Sequence, residues 1–282
     1  MRAGGDYYPK LQIAAPFTPV PGRRLLGTRP QALIAAAETV VVQNSLSSAH
    51  ATFIAEEEVA EFEARRWLVR DGIQYHWFNR NYDDFDGFLA ALASRKRKAI
   101  RKERAAARDG LEFVHRRGTE IGQGAWDAMW RFYQDTGSRK WGQPYLTREA
   151  FTLLGERMGE DILLVLAFDA EQPVAGALNF IGRDALYGRY WGAVLDKPFL
   201  HFELCYYQAI DAAIALGLSR VEAGAQGGHK LARGYEPVHT WSAHNIAHPG
   251  FREAVAEFLE REREGVAADQ LHLGERTPFK RN

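Results

Sequence analysis

The sequence predicts an α+β protein on a mixed sheet, organised as two related units. Three observations predict it. DILLVLAFD, QPVAGALNFIG and ALYGRYWGAV (161–169, 172–182 and 185–194) are apolar strands joined by tight turns at Ala170-Glu171 and Arg183-Asp184. Turns that short join antiparallel neighbours. Next, FLHFELCYYQAIDAAIALGL (199–218) reads as a long helix leading into the short apolar strand SRVEAG (219–224), the crossover that a parallel neighbour needs. Finally, the element order from Tyr187 onward echoes the order at the start of the chain, which is the mark of an internal repeat. The second copy is expected to be complete, and the first to lack everything before its fourth strand.

The elements follow in order. Pro9, Pro16, Pro19 and Pro21 divide the first stretch into a short strand and a loop. ALIAAAETVVVQNSL reads as a helix, AHATFI (49–54) as a buried strand, and AEEEVAEFEARR as a helix whose early acids suit its dipole. WLVRDGIQYHWFN carries Asp71-Gly72 between two apolar runs, which predicts a hairpin. From there to Gly110, Phe85, Phe88, Leu89, Leu92, Ala99 and Ile100 form one apolar stripe at helical spacing, predicting a single helix of about 25 residues. LEFVH (111–115) is a strand, AWDAMWRFYQDTG (125–137) a helix, and Thr147 the N-cap of another. After the meander and crossover come the strand VHTWSAHNI (238–246) and a helix opening at Pro249. The domain division expected is 1–82 for a partial first unit, 83–110 for a linking basic helix, 111–265 for the second unit and 266–282 for a polar tail.

Composition limits the function. Lys+Arg and Asp+Glu both number 36, so net charge is zero and a globally basic nucleic-acid binder is excluded, though not a local basic patch. The only cysteine, Cys205, allows no intrachain disulfide and fits a reducing, cytoplasmic location. The first residues have no apolar core of a signal peptide, and the longest apolar run, 162–168, is far short of the roughly 20 residues that span a bilayer. Cys205 sits among Leu204, Tyr206 and Tyr207 as a core thiol. His239, His244 and His248 match no zinc spacing, so no metal is expected. Gln74, His76 and Trp77 line a cleft or face neighbouring strands.

The stretch EAGAQGGHKLARGYEP (222–237) concentrates glycines and polar residues at a strand end, where sites tend to lie. It is not a phosphate-binding P-loop: counted from Gly224, His229 stands where the second glycine belongs and Leu231 where the magnesium-binding hydroxyl belongs. The bland alternative is a flexible loop. His201 and Glu203 open the long helix, whose N-terminus attracts anions, although Glu203 is equally explained as a helix-start residue. SRKRKAIRKER (94–104) places Arg95, Lys96, Arg97, Lys98, Arg101 and Lys102 together, either as a polyanion contact or as a solvated helix face.

Three stretches, 73–104, 201–218 and 222–237, resemble a bacterial family of FemAB-like predicted N-acyltransferases, and the resemblance covers most of the chain. It implies tandem GNAT-like domains, the first incomplete and the second complete, joined by a long basic helix. It also implies transfer of an acyl or aminoacyl group to an amine acceptor, with a peptidoglycan-related amine as a candidate. The donor would be acyl-CoA or aminoacyl-tRNA, with no tightly bound cofactor. GNAT-type folds splay two strands around the acyl donor, here ALYGRYWGAV and SRVEAG, so Tyr190, Trp191, Glu222 and Gln226 would flank the cleft. Amine acylation needs a base and an oxyanion donor. Glu222 or His229 fits the base, with Tyr190 in support, and Lys230 and Arg233 fit anion contacts. A structural ion pair of Glu222 with Arg220 or Arg233 is the competing reading. The loop LDKPFLHF (195–202) lacks the glycine-rich coenzyme A signature, which favours aminoacyl-tRNA, with Lys197 left to contact a phosphate. Two departures stand out: a further stretch before the family's first segment is missing, and Gly228 stands where the family pattern has Glu. The rival from another class is a binding module that takes a polyanion or cell-wall precursor without chemistry.

Overall fold

A computed structural model of the chain describes residues 7–15, 17–139, 144–224, 227–275 and 277–280. The first elements are β1 (Lys10–Ile13), α1 (Pro30–Gln43), β2 (Ser48–Ile54), α2 (Val59–Ala64) and β3 (Leu68–Phe78). Then come α3 (Phe85–Ala91), α4 (Ser94–Arg108), β4 (Glu112–Arg117), α5 (Gln123–Arg139) and α6 (Arg148–Met158). The meander is β5 (Ile162–Asp169), β6 (Gln172–Ile181) and β7 (Ala185–Ala193). The crossover helix runs as α7 (Leu200–Phe202), a π-helical stretch Glu203–Tyr207 and α8 (Gln208–Ala215), leading to β8 (Arg220–Glu222). A 3-10 turn, Gly228–Arg233, precedes β9 (Glu236–Ile246) and α9 (Pro249–Glu275).

The chain divides into two compact units, one of Met1–Gln74 with Pro237–Arg276 and one of Tyr75–Glu236 with Thr277–Asn282. Strand order is β1-β2-β9-β3 in the first and β3-β8-β7-β6-β5-β4 in the second, with β3 running from one unit into the other. Within the first unit β1 is parallel to β2, and β2 is antiparallel to β9. Leu25, Ile34, Phe62, Trp67 and the inward residues of β2 close its core. Glu58 is buried there too, and its carboxylate accepts from the backbone N–H groups of Arg24, Leu25 and Ala55.

In the second unit β4 to β7 are antiparallel and β7 is parallel to β8, the mixed sheet expected from meander plus crossover. Both faces of β5 are buried, which is why it reads as an unbroken apolar run. Ile162, Leu164 and Leu166 face α5 and α6, while Leu163, Val165 and Ala167 face the crossover helix, α3 and α4.

Four elements differ from the sequence reading. Asp71-Gly72 is no hairpin; it lies within the unbroken strand β3. Neither residue has the positive φ that a two-residue hairpin turn requires, and the glycine serves a close approach instead: a Cβ there would lie 2.9 Å from Thr240 Oγ1. The stripe from Phe85 forms two helices. The chain is extended at Leu92, and the Ala93 N–H donates to Pro278 O at 2.9 Å, so returning C-terminal residues break the helix. The last helix continues to Glu275, past the polar tail expected from 266, carried by helix formers such as Ala267 and Ala268. Finally, residues 237–246 and α9 group with the first unit, where the sequence reading put 111–265 in the second; β9 pairs with the distant β2.

Gly192 on β7 gives a stability test. A Cβ there would lie 2.1 Å from the backbone oxygen of Phe132 on α5. Gly192→Ala should cost about 3 kcal/mol in urea unfolding, because helix and strand must part. An unchanged midpoint would mean that α5 is not seated on β7.

Candidate functional site

The site is built where β7 and β8 part. Their parallel pairing covers Ala185–Tyr187 against Arg220–Glu222 only, while β7 runs on to Ala193. Glu222 ends the paired segment and is buried. Its Oε1 accepts from Arg220 Nε at 2.9 Å, and its Oε2 makes no hydrogen bond among the described residues. The register of β3 against β8 sets His76 opposite Glu222, with Nε2 3.8 Å from Oε2. Burial, then Arg220 and Lys230, lower the His76 pKa to about 4. The ring is therefore neutral at neutral pH, and the 3.8 Å contact is no ion pair there. Burial raises the Glu222 pKa, opposed by Arg220.

The turn that follows is bracketed by Gly227 and Gly234, at φ 112° and 88°, conformations that exclude most side chains. It turns Lys230 and Arg233 inward. Lys230 is 1% exposed, and Nζ donates to Gly224 O at 2.7 Å. Burial lowers its pKa to about 8. Arg233 stacks on Phe202 and donates to both oxygens of Glu103, each at 3.0 Å, and to His229 O at 2.8 Å. His229 Nε2 lies 2.8 Å from the hydroxyl of Tyr206. Burial, Arg233 and Lys230 all lower the histidine's pKa, and burial raises those of Tyr206 and Tyr207, so both phenols keep their protons. Tyr207 donates to Glu103.

The crossover helix carries a second buried network. Glu203 has no exposure, and Arg104 grips its oxygens at 3.0 and 3.2 Å while also donating to Asp211 at 2.6 Å. Gln208 Nε2 donates to the same carboxylate at 2.7 Å, so its oxygen is left to accept from His115 Nε2 at 2.7 Å. The π-helical stretch starts at Glu203 and ends at Tyr207. It adds a residue to one turn, a distortion frequent at functional sites.

Beside this network is a cavity of about 260 Å³ lined by Trp191, Lys197, Leu200, His201 and Phe202. Trp191 and His201 rings stand 4.4 Å apart, and Phe202 carries the wall on to His229, 5.5 Å away. Lys197 Nζ also donates to Asp109 O at 2.8 Å.

The structure thus gathers Glu222, His229, Lys230, Arg233, Trp191, Lys197 and His201 in the second unit. Roles shift, however. Lys230 and Arg233, expected as anion contacts, are buried and engaged by the protein itself. Glu203 is sealed in an ion pair with nothing left for a ligand. Tyr190 lies on the other face of β7, bonded to Tyr145 at 2.7 Å and 5.2 Å from the Tyr133 ring, because neighbours on a strand point oppositely. Gln226 falls outside the described residues. On α4, Arg95, Lys98, Arg101 and Lys102 are exposed and Lys96 and Arg97 half-buried, with Arg101 paired to Asp86 at 2.8 Å. Glu103, Arg104, Gln208, His115 and Tyr206 were missed; the signal available was that Ile100, Glu103, Arg104 and Ala107 share one helical face. Among the described residues no cluster of His, Cys, Asp and Glu could hold a metal, and no helix is long and apolar enough to cross a membrane.

A family described as FemAB-like, peptidoglycan biosynthesis/recognition, matches residues 1–281. No curated protein matches the sequence. Among solved structures, L-PGS from Bacillus licheniformis is similar with a TM-score of 0.56 and 12% identity, over 82% of this chain and 78% of that one. The C-terminal domain of a putative lysylphosphatidylglycerol synthetase from Agrobacterium fabrum gives 0.54 and 11%, over 82% and 77%. FemX gives 0.54 and 11%, over 80% and 78%. At such identities the likeness is one of fold.

Two outcomes follow from the buried groups. Arg104→Met leaves the Glu203 carboxylate buried and unpaired, at a cost of roughly 3–5 kcal/mol in chemical denaturation; adding Glu203→Met should restore much of it. Equal losses in single and double variants would dissolve the pair. His76 has a folded pKa of about 4 against an ordinary 6.5, so the unfolded chain takes up its proton first and stability falls as pH drops from 6.5 to 4. His76→Gln should flatten that slope in pH-dependent melting.

Proposed function

Because the chain belongs to the FemAB-like family, we propose that its second unit transfers an acyl or aminoacyl group from an activated donor to an amine. The observation that carries this reading is the parting of β7 and β8 beside Glu222, a buried carboxylate with one oxygen unbonded among the described residues. The gap offers an extended donor a backbone edge along β7. In the transfer the amine nitrogen attacks the carbonyl carbon, a C–N bond forms, and the ester C–O or thioester C–S bond breaks. The amine's proton leaves to Glu222 Oε2, whose raised pKa suits a base working near neutrality. Protonated Tyr206, held against His229, supplies an O–H toward developing negative charge or the leaving group.

The loop before the crossover helix lacks the glycines of a coenzyme A site, which supports aminoacyl-tRNA over acyl-CoA. The donor enters as a substrate, and the exposed Arg95, Lys98 and Lys102 suit its phosphates. The family's description as peptidoglycan biosynthesis/recognition is compatible with a cell-wall amine as acceptor. Transfer from aminoacyl-tRNA would place the reaction in the cytoplasm.

A second reading, binding of a cell-wall precursor without turnover, is favoured by Gly228. A Cβ there would meet only Tyr75 Oη, at 3.8 Å, so the missing carboxylate is not a steric necessity. Purified protein given labelled aminoacyl-tRNA and muropeptide amines decides between them. Transfer predicts product, a loss of about 100-fold in kcat for Glu222→Gln at unchanged melting temperature, and retained or higher activity in Gly228→Glu. Precursor binding with no product in the wild type or Gly228→Glu would establish the second reading instead.

A further inference from the structure

A cavity of about 680 Å³ is lined wholly by residues of the first unit and has no part in the transfer reading. That volume is in the range of small-molecule sites, about 300–1,000 Å³. One end is polar. Ser48 Oγ lies 2.8 Å from His50 Nε2, and His50 Nδ1 lies 2.8 Å from His244 Nδ1. A single proton bridges the two Nδ1 atoms, and burial holds both rings neutral. Lys10 and Arg70 stand at the same end. Arg70 is paired with Glu262, whereas Lys10 has no carboxylate partner among the described residues and rests 3.1 Å from the centre of the Tyr7 ring. Among the described residues no Asp or Glu lines the cavity.

The part of the lining that α9 supplies is apolar. Phe251, Val255, Phe258 and Leu259 of α9 fall at i, i+4, i+7 and i+8, a single helical face directed into the cavity. Phe258 is 51% exposed there, an apolar surface that the first unit leaves without a partner.

We propose that this cavity binds a small amphiphilic anion, its carboxylate or phosphate head beside Lys10 and the His50–His244 pair and its apolar chain along the α9 face. Charge complementarity selects the head: the polar end offers an ammonium without a carboxylate partner, a serine hydroxyl and two imidazoles, with no acid lining it among the described residues. The apolar face selects the tail. The polar end alone would suit an inorganic anion and the apolar face alone a neutral alkane; together they select an amphiphile.

Calorimetric titration of the full chain with decanoate, decan-1-ol and decyltrimethylammonium, all below micelle-forming concentrations, tests it. Decanoate should bind at least about tenfold tighter than the other two, a difference of roughly 1.4 kcal/mol. Phe258→Asp, at an exposed position, should weaken decanoate about tenfold or more, and Lys10→Glu should turn the preference toward decyltrimethylammonium. Inorganic phosphate binding as well as dodecyl phosphate would remove the tail from the proposal. No decanoate binding, equal binding of the three probes, or variants that leave decanoate affinity unchanged would overturn it.

Discussion

The second unit depends on two adjacent residues of opposite charge on α4. Arg104 neutralises Glu203 inside the crossover helix, and Glu103 neutralises Arg233 in the turn after β8. Each partner is nearly or fully buried, so neither charge would be tolerated alone. Because Glu103 and Arg104 are neighbours on one helix, the two pairs are set at a fixed spacing. The helix that follows β7 and the turn that follows β8 are therefore held by a common element, and the gap between those strands has fixed walls. The π-helical stretch, opening at Glu203, lets Tyr207 reach Glu103 while Tyr206 reaches His229.

Much of this was legible in the sequence where the signal is local. The meander, crossover and final strands follow from apolar runs and turn residues, and the cluster at 222–233 from its unusual mix of glycine and charge. What escaped depends on partners far away in the chain. Gly72 looks like a turn residue until Thr240 is packed against it. Leu92 continues a helical stripe until Pro278 claims the next N–H. Glu103 and Arg104 look like the end of a basic run, and only their buried partners reveal that they face inward. Lys230 and Arg233 were expected as anion contacts, and their burial was not legible, because composition does not say which way a turn points its side chains.

The electrostatics of the site follow from that inward turn. Burial keeps His76 and His229 largely uncharged, eases Lys230 toward deprotonation and leaves Glu222 more ready to accept a proton. Four groups that water would leave in their ordinary states are thus shifted toward neutrality within one short region. Such a region suits proton movement during bond exchange between uncharged amine and acyl carbonyl, and it disfavours a free-standing anion clamp.

The assignment of β9 to the first unit has a consequence for biogenesis. During synthesis β2 and β3 emerge early, yet the strand that lies between them is among the last parts of the chain to leave the ribosome. Most of the second unit, Tyr75–Glu236, is made before β9 emerges, whereas the first must wait with two exposed edges, a state prone to mispairing and aggregation. Loss of the chain after 236 would thus remove a strand and the last helix from the N-terminal unit, and from the second unit only the short segment that meets Ala91 and Ala93.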